Sequence, residues 1–278
     1  GEAVPLARSS ADFFRRTAGP TSFDTAAALK NMGYVLSKAG DHAAATQVLD
    51  QALKIMADPA VRVRQIGVRA DAYQLAGMVA LARHDRAAAA AALERGLALL
   101  EQGHRLPLLA ADLAYQLAET RAAGQDWRGA ELALVQAMPP EMQATPAYSF
   151  FRLRKTLLHA LVMVRLGRGE AGWAEASEAA RVMVERLSDP HLPQSSRVTM
   201  QAVYRTAFAR VVDIAVATGH LEEAFSAAQW TALSELSVSG QMLAAGPHFK
   251  DWQWAKNALG VDIGKAGPAA PGWFEVTE

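Results

Sequence analysis

One sequence pattern occurs five times along this chain, at intervals of about 42 residues. Each copy contains an apolar helical stripe, a short polar turn, and a second stripe with a small residue one turn in. The copies occupy residues 29–53, 74–97, 113–138, 157–184 and 208–233. One helix hairpin cannot bury its apolar face alone, so such repetition predicts hairpins that stack on their neighbours.

Small residues recur at matching places in these copies. Gly33 and Gly77 lie at the eighth position of their first helices, where the later copies carry Ala118, Ala160 and Val212. A small side chain at a crossing point lets two helix backbones approach closely. The second helices begin with a small residue at Ala45, Ala89, Ala130, Gly172 and Ala224, and three of them repeat it seven residues later at Ala52, Ala137 and Ala179.

This pattern resembles the tetratricopeptide repeat (TPR). The basic TPR unit has 34 residues, so the wider spacing here predicts longer helices or added loops. The resemblance implies an all-α fold, a right-handed α-solenoid of TPR-like helix hairpins with a C-terminal capping helix. We expect a partial repeat or cap over residues 1–22, about five hairpins over 23–246, the capping helix over 247–263, and a linker and terminal arm over 264–278.

Composition excludes several classes of function. The 28 basic and 28 acidic residues give a formal net charge of +0, which disfavours nucleic acid as a partner. With 0 cysteines the chain has no disulfide, thiolate metal site or cysteine nucleophile. Its apolar runs are far shorter than a membrane span of about 20 residues, so we expect no membrane insertion. The sequence predicts a soluble protein, with the cytoplasm favoured over the periplasm.

A Gly-x-Gly-x-x-Gly motif, residues 167–172, is the strongest enzyme signal. A dinucleotide-binding fingerprint requires a β-strand before the motif. The preceding residues, 157–166, belong instead to a helical copy, and Gly40 and Gly219 occupy the turn position of Gly167. We therefore interpret the motif as an inter-helix turn, and we expect no catalytic residue, no metal site and no cofactor. A dinucleotide-dependent enzyme remains an alternative.

The first helices of TPR-like hairpins line a concave groove, and the resemblance implies which of their residues face it. We expect these residues to bind a peptide or helix of another protein, so the chain is predicted to be a non-catalytic protein–protein interaction module. The predicted groove residues are Lys30, Tyr34, Lys38, Asp71, Gln74, Met78, Tyr115, Glu119, Arg154 and Arg165. A structural scaffold that uses the convex face or the edges is the other alternative.

A narrower resemblance covers residues 219–246. This segment is similar to the last repeat before the caspase-like CHAT peptidase domain of bacterial TPR-CHAT proteins, where a Glu-Glu-Ala-Phe opening runs into a long helix rich in small residues. The family's catalytic His and Cys lie in a later domain, so none is assigned to this chain. The resemblance implies a sensing or docking region.

Overall fold

Helices account for all regular secondary structure in the residues that the structure, a computed structural model, describes: 2–59, 61, 66–101, 106–137 and 145–236. Within these ranges the chain forms eleven α-helices, and the all-α prediction is confirmed. The predicted capping helix, linker and arm lie outside the described residues. The helices are α1 (Ala3–Thr17), α2 (Phe23–Lys38), α3 (His42–Ala57), α4 (Ile66–Ala82), α5 (Arg86–Glu101), α6 (Pro107–Ala123), α7 (Trp127–Ala137), α8 (Phe150–Arg165), α9 (Gly169–Ser188), α10 (Gln194–Thr218) and α11 (Leu221–Leu236).

The helices form hairpins, α2/α3 to α10/α11, and the chain divides into two compact lobes. Among the described residues, the first lobe contains those up to 146 together with 165–167, and the second contains the others. In the first lobe each helix packs on the next along the chain, and the first helices α2, α4 and α6 also contact one another in order. This is the side-by-side stacking that the repetition predicts.

Small residues mark the helix crossings, as the sequence pattern predicts. A Cβ atom added at Gly33 would lie 2.7 Å from Cγ of Leu49, and one at Gly77 would lie 2.9 Å from Cγ of Leu93. In hairpin α8/α9 the roles are exchanged, because the glycine is Gly172 in the second helix, where an added Cβ would lie 2.6 Å from the carbonyl oxygen of Ala160. These crossings are therefore close enough to exclude larger side chains.

The turns inside the five hairpins share one conformation. In each, one residue has a positive φ, between 61° and 85°, and the amide N–H of the next residue donates to the carbonyl oxygen five residues earlier, over 2.9–3.0 Å. This arrangement is a Schellman-type helix end. Asp41, Asp85 and Asp126 follow in the first three turns, and each side chain accepts a bond from the amide three residues on, at 2.9–3.0 Å. One helix thus ends and the next begins within about three residues.

The glycine motif lies in one of these turns. Residues 150–165 before it form helix α8, and Gly167 is the residue with positive φ. The structure thus places a helix where a dinucleotide fingerprint requires a strand, and it contradicts the dinucleotide alternative.

The N-terminal helix is longer than the sequence pattern indicates. We expect an amphipathic helix over residues 9–16, and α1 extends from Ala3 to Thr17. Its Ala11 is buried with Ala28 and Leu29 of α2, and Phe14 packs against this cluster. Helix α1 therefore contributes to the core of the first lobe.

Candidate protein-binding face

Eight of the ten predicted groove residues lie on the first helices of the first lobe. Helix α2 carries Lys30, Tyr34 and Lys38, helix α4 carries Asp71, Gln74 and Met78, and helix α6 carries Tyr115 and Glu119. We call the surface formed by α2, α4 and α6 at these positions the first-helix face.

Polar side chains join the three helices across this face. The ammonium of Lys30 forms an ion pair with the carboxylate of Asp71, and the amide of Gln74 donates to Asp112 Oδ2 over 2.6 Å. Both bonds link the fifth position of one first helix to the second position of the next. Gln116 also donates to Asp112 Oδ2, over 3.1 Å. These bonds restrain the spacing of α2, α4 and α6.

Two large apolar side chains are exposed on the same face. Tyr34 is 50% exposed and Met78 is 42% exposed, and both occupy the ninth position of their first helices. The ammonium of Lys38 lies 5.6 Å from the centroid of the Tyr34 ring, within cation–π range. The face thus presents apolar groups beside polar side chains that are already held in place.

The structure differs from the expectation at Tyr115. Its side chain is only 3% exposed, and its hydroxyl donates to Glu119 Oε1 over 2.5 Å. Eight of the 17 residues of α6 are buried, including Leu113 and Leu117, so position in the repeat does not bring this tyrosine to the surface. Tyr115 belongs to the packing beneath the face.

Arg154 and Arg165 lie on α8 and do not belong to the first-helix face as defined above. Arg154 belongs to the second lobe, and its guanidinium carbon lies 5.2 Å from the centroid of the Phe151 ring. Arg165 belongs to the first lobe, with its guanidinium carbon 5.7 Å from the centroid of the Trp127 ring. Both cations therefore contact aromatic rings, and their membership of a partner-binding surface stays a prediction.

The sequence pattern does not predict the burial of Lys155 and Tyr204 in the second lobe. Lys155 on α8 is fully buried, and its ammonium lies 4.0 Å from the centroid of the Phe151 ring. Tyr204 on α10 is buried as well, and its hydroxyl donates to the carbonyl oxygen of Tyr148 over 2.5 Å. Burial raises the pKa of Tyr204 to about 12, and the nearby charge of Arg186 opposes this. A single Lys or Tyr in a helical stripe gives no signal of such burial.

Acidic and histidine side chains do not gather into a metal site in the described ranges: no group of three or more is close enough to hold an ion. The ring of His220, in the turn before α11, stacks on the ring of Trp173, with the two centroids 4.4 Å apart. The hydroxyl of Thr218 lies 3.0 Å from Nδ1 of the same histidine. His220 therefore has a packing role at the start of α11.

Comparison with known proteins agrees with this architecture. The tetratricopeptide repeat family model matches residues 1–58, which contain α1, α2 and α3. BtubC (BKLC) of P. vanneervenii has a similar fold, with a TM-score of 0.67 at 14% identity over 86% of this chain and 92% of that chain. The nearly identical TPR-like repeats of a kinesin-light-chain protein of Podosopora anserina give a TM-score of 0.58 at 15% identity, over 76% of this chain and 94% of that chain.

The fold is that of a TPR-like α-solenoid. The family match and the similar structures support the TPR resemblance that we inferred from the pattern of small residues. No curated protein sequence matches the chain. Among the helices in the described ranges, each is too short or too polar to cross a membrane. TPR-like folds generally mediate contacts between proteins. The first-helix face is the candidate surface for such a contact in this chain.

Proposed function

We propose that this chain is a non-catalytic interaction module that binds a peptide or helix of another protein on its first-helix face. The observation that carries the proposal is the exposure of Tyr34 and Met78 at equivalent positions of α2 and α4. Large aromatic and flexible thioether side chains are common anchors at protein interfaces. Their place beside the Lys30–Asp71 ion pair gives an apolar centre with a polar rim.

The chemistry of this face favours a partner segment with one or two apolar anchors. Asp71 is about half exposed on its side of the ion pair, so a carboxylate group near it would be repelled. For a partner segment with one or two apolar anchors we expect an affinity in the micromolar range, about −8 kcal/mol. The same arrangement accommodates an extended peptide or one face of a helix.

Selection from a random peptide display library, followed by calorimetry with the selected peptides, tests the proposal. Tyr34→Ala and Met78→Ala should each weaken binding at least about tenfold, since each removes an anchor. Val135→Ala is the matched control, because Val135 is an exposed apolar residue on the second helix α7, and its loss should leave binding unchanged. Peptides that bind Tyr34→Ala and Met78→Ala as tightly as the parent would refute this assignment of the face.

A second candidate function is that of a scaffold that uses the second helices. Leu132 and Val135, one turn apart on α7, are both largely exposed, and contiguous exposed apolar surface is typical of protein interaction sites. A photo-crosslinking amino acid at position 132 would then capture a partner protein that the same group at position 78 does not. Capture at position 78 alone would favour the first-helix face.

We further propose that the chain is the sensing or regulatory part of a TPR-CHAT system. The support is the resemblance of residues 219–246 to the repeat before the CHAT peptidase domain; helix α11 covers residues 221–236 of that segment. Under this proposal a caspase-like peptidase of the same gene product or operon changes its cleavage rate when a first-helix-face ligand is added. A rate that does not respond to a bound ligand would contradict it.

A further inference from the structure

Helix α1 has one covered side and one exposed apolar side. Its covered side contains Ala11 and Phe14, which pack on α2. On its outer side Leu6 is 67% exposed and Phe13 is 53% exposed. Leu6 and Phe13 do not belong to the first-helix face, which is formed by residues of α2, α4 and α6.

The outer residues of α1 form a nearly palindromic stripe. Leu6, Ser9, Ser10 and Phe13 follow one another at helical spacings of three, one and three residues, so they share one side of the helix. The large side chains are at the two ends of the stripe, and the two small serines, both exposed, are at its centre. Small central residues allow a second helix to approach closely.

An antiparallel copy of the same helix complements this stripe. A two-fold axis between Ser9 and Ser10 places Leu6 of one chain against Phe13 of the other, and the contact occurs twice. The charges also match, because the exposed Glu2 precedes the helix and Arg16 is in its last turn. Arg15 is already bridged to Asp12 over 2.7 Å within the helix, which leaves Arg16 to face Glu2 of the second copy. Antiparallel helix dipoles add a further favourable interaction.

We propose that the outer side of α1 is a homodimer contact, in which α1 pairs antiparallel with α1 of a second copy. This surface is distinct from the first-helix face, so the inference does not depend on the proposed function. Two pairs of apolar side chains bury less area than a standard stable interface, so the dimer is expected to be weak and to form in the upper micromolar range.

Sedimentation velocity over a roughly hundredfold range of concentration tests the association. The parent chain should move from the monomer to the dimer mass as its concentration rises. Leu6→Ser and Phe13→Ser should each keep it monomeric over this range. Leu132→Ser removes an equally exposed leucine from α7 and should leave the dimer intact, and Tyr34→Ala should do the same. Circular dichroism verifies that each exposed-site variant is still folded.

Cysteine crosslinking tests the antiparallel geometry, since the parent has 0 cysteines. Ser9→Cys lies beside the two-fold axis and should oxidise to a disulfide-linked dimer. Val135→Cys is the control and should not. Leu6→Cys mixed with Phe13→Cys should give more heterodimer than either gives homodimer. A parent that stays monomeric, a Ser9→Cys yield equal to that of Val135→Cys, or dissociation by Leu132→Ser in place of Leu6→Ser would overturn the proposal.

Discussion

Two of the five hairpin turns place a residue other than glycine in the left-handed backbone region. Gln125 has a φ of 63° and His84 a φ of 61°, where the other turns have Gly40, Gly167 and Gly219. A side chain with a Cβ atom is strained in this region by about 1–2 kcal/mol, and glycine is not. Each of the two turns therefore contains a local strain that the surrounding hydrogen bonds hold in place.

Gln125→Gly should stabilise the chain by about 0.5–1 kcal/mol. The substitution removes the left-handed strain, and the extra entropy of glycine in the unfolded chain offsets part of the gain. Urea denaturation followed by circular dichroism measures the change. Gly124→Ala is the matched control in the same turn, because Gly124 has a φ of −88° and an added Cβ would meet Arg121 O at an ordinary 3.4 Å. A Gly124→Ala variant that is more stable than Gln125→Gly would contradict this account.

Gly33→Ala should lower the free energy of unfolding by roughly 1–2 kcal/mol. The added methyl would lie 2.7 Å from Cγ of Leu49, which is itself buried, so α2 and α3 must separate or Leu49 must leave its rotamer. The cost of overpacking exceeds the higher helix propensity of alanine.

Gly169→Ala is the control for this substitution. Gly169 is in the first turn of α9, and an added Cβ would meet only Thr218 Cγ2, at 3.7 Å. There the alanine should be neutral or stabilising in the same denaturation experiment. Equal losses at positions 33 and 169 would mean that the close crossing of α2 and α3 is not what requires glycine.

At the scale of the element, a buried tyrosine ties helix α10 to the segment before α8. The hydroxyl of Tyr204 donates to the carbonyl oxygen of Tyr148, and Arg186 of α9 lies over the Tyr148 ring, 4.7 Å from its centroid. Arg186 also donates to Asp189 Oδ2 over 2.9 Å. These contacts join the segment before α8, the last turn of α9 and the middle of α10.

The stability of the second lobe should fall as pH rises from about 10 to 12. Burial raises the pKa of Tyr204 to about 12 from an ordinary value of 10.0. Above pH 10 the unfolded chain loses this proton while the folded chain keeps it, so the stabilisation is complete below pH 10 and declines through pH 12. The decline amounts to roughly 2–3 kcal/mol at its end.

Comparison of the parent with Tyr204→Phe isolates this effect from the titration of lysines. The variant loses the bond to Tyr148 O, about 1 kcal/mol at neutral pH, and its unfolding free energy should change less between pH 10 and 12. Tyr34→Phe alters a half-exposed tyrosine and should follow the parent. Parallel curves for the parent and Tyr204→Phe would show that Tyr204 does not titrate in this range.

The sequence predicts the hairpins well because their crossings depend on residue size alone. Gly33, Ala45 and Gly172 could be identified by spacing, and each lies at a close crossing or is fully buried. The first-helix face is less predictable. A repeat position tells which way a side chain points from its own helix, but the depth of Tyr115 depends on what surrounds α6. The pairing of Lys30 with Asp71 depends on the axial offset between neighbouring helices, and the spacing of residues in the sequence does not predict that offset.

At the scale of the whole molecule, stability should be distributed among hairpins rather than shared by one core. Helices of the first lobe contact their sequence neighbours, and the described members of the buried clusters around Leu49 and Ala11 belong to α1 to α4. The described members of the cluster around Tyr204 and Phe208 belong to α8 to α11. A chain of nearest-neighbour contacts can lose structure in one region while another stays folded.

Hydrogen exchange measured by mass spectrometry should therefore report each substitution locally. Gly33→Ala should speed exchange in peptides of α2 and α3 several-fold and leave those of α9 and α10 unchanged, because its strain lies between α2 and α3. Tyr204→Phe should do the opposite, with faster exchange in α8 and α10 and parent-like exchange in α2 and α3. The two variants thus serve as controls for each other. Uniform acceleration along the chain by either one would mean that the helices unfold as one cooperative body, in which a crossing such as that of Gly33 and Leu49 contributes to the stability of every hairpin.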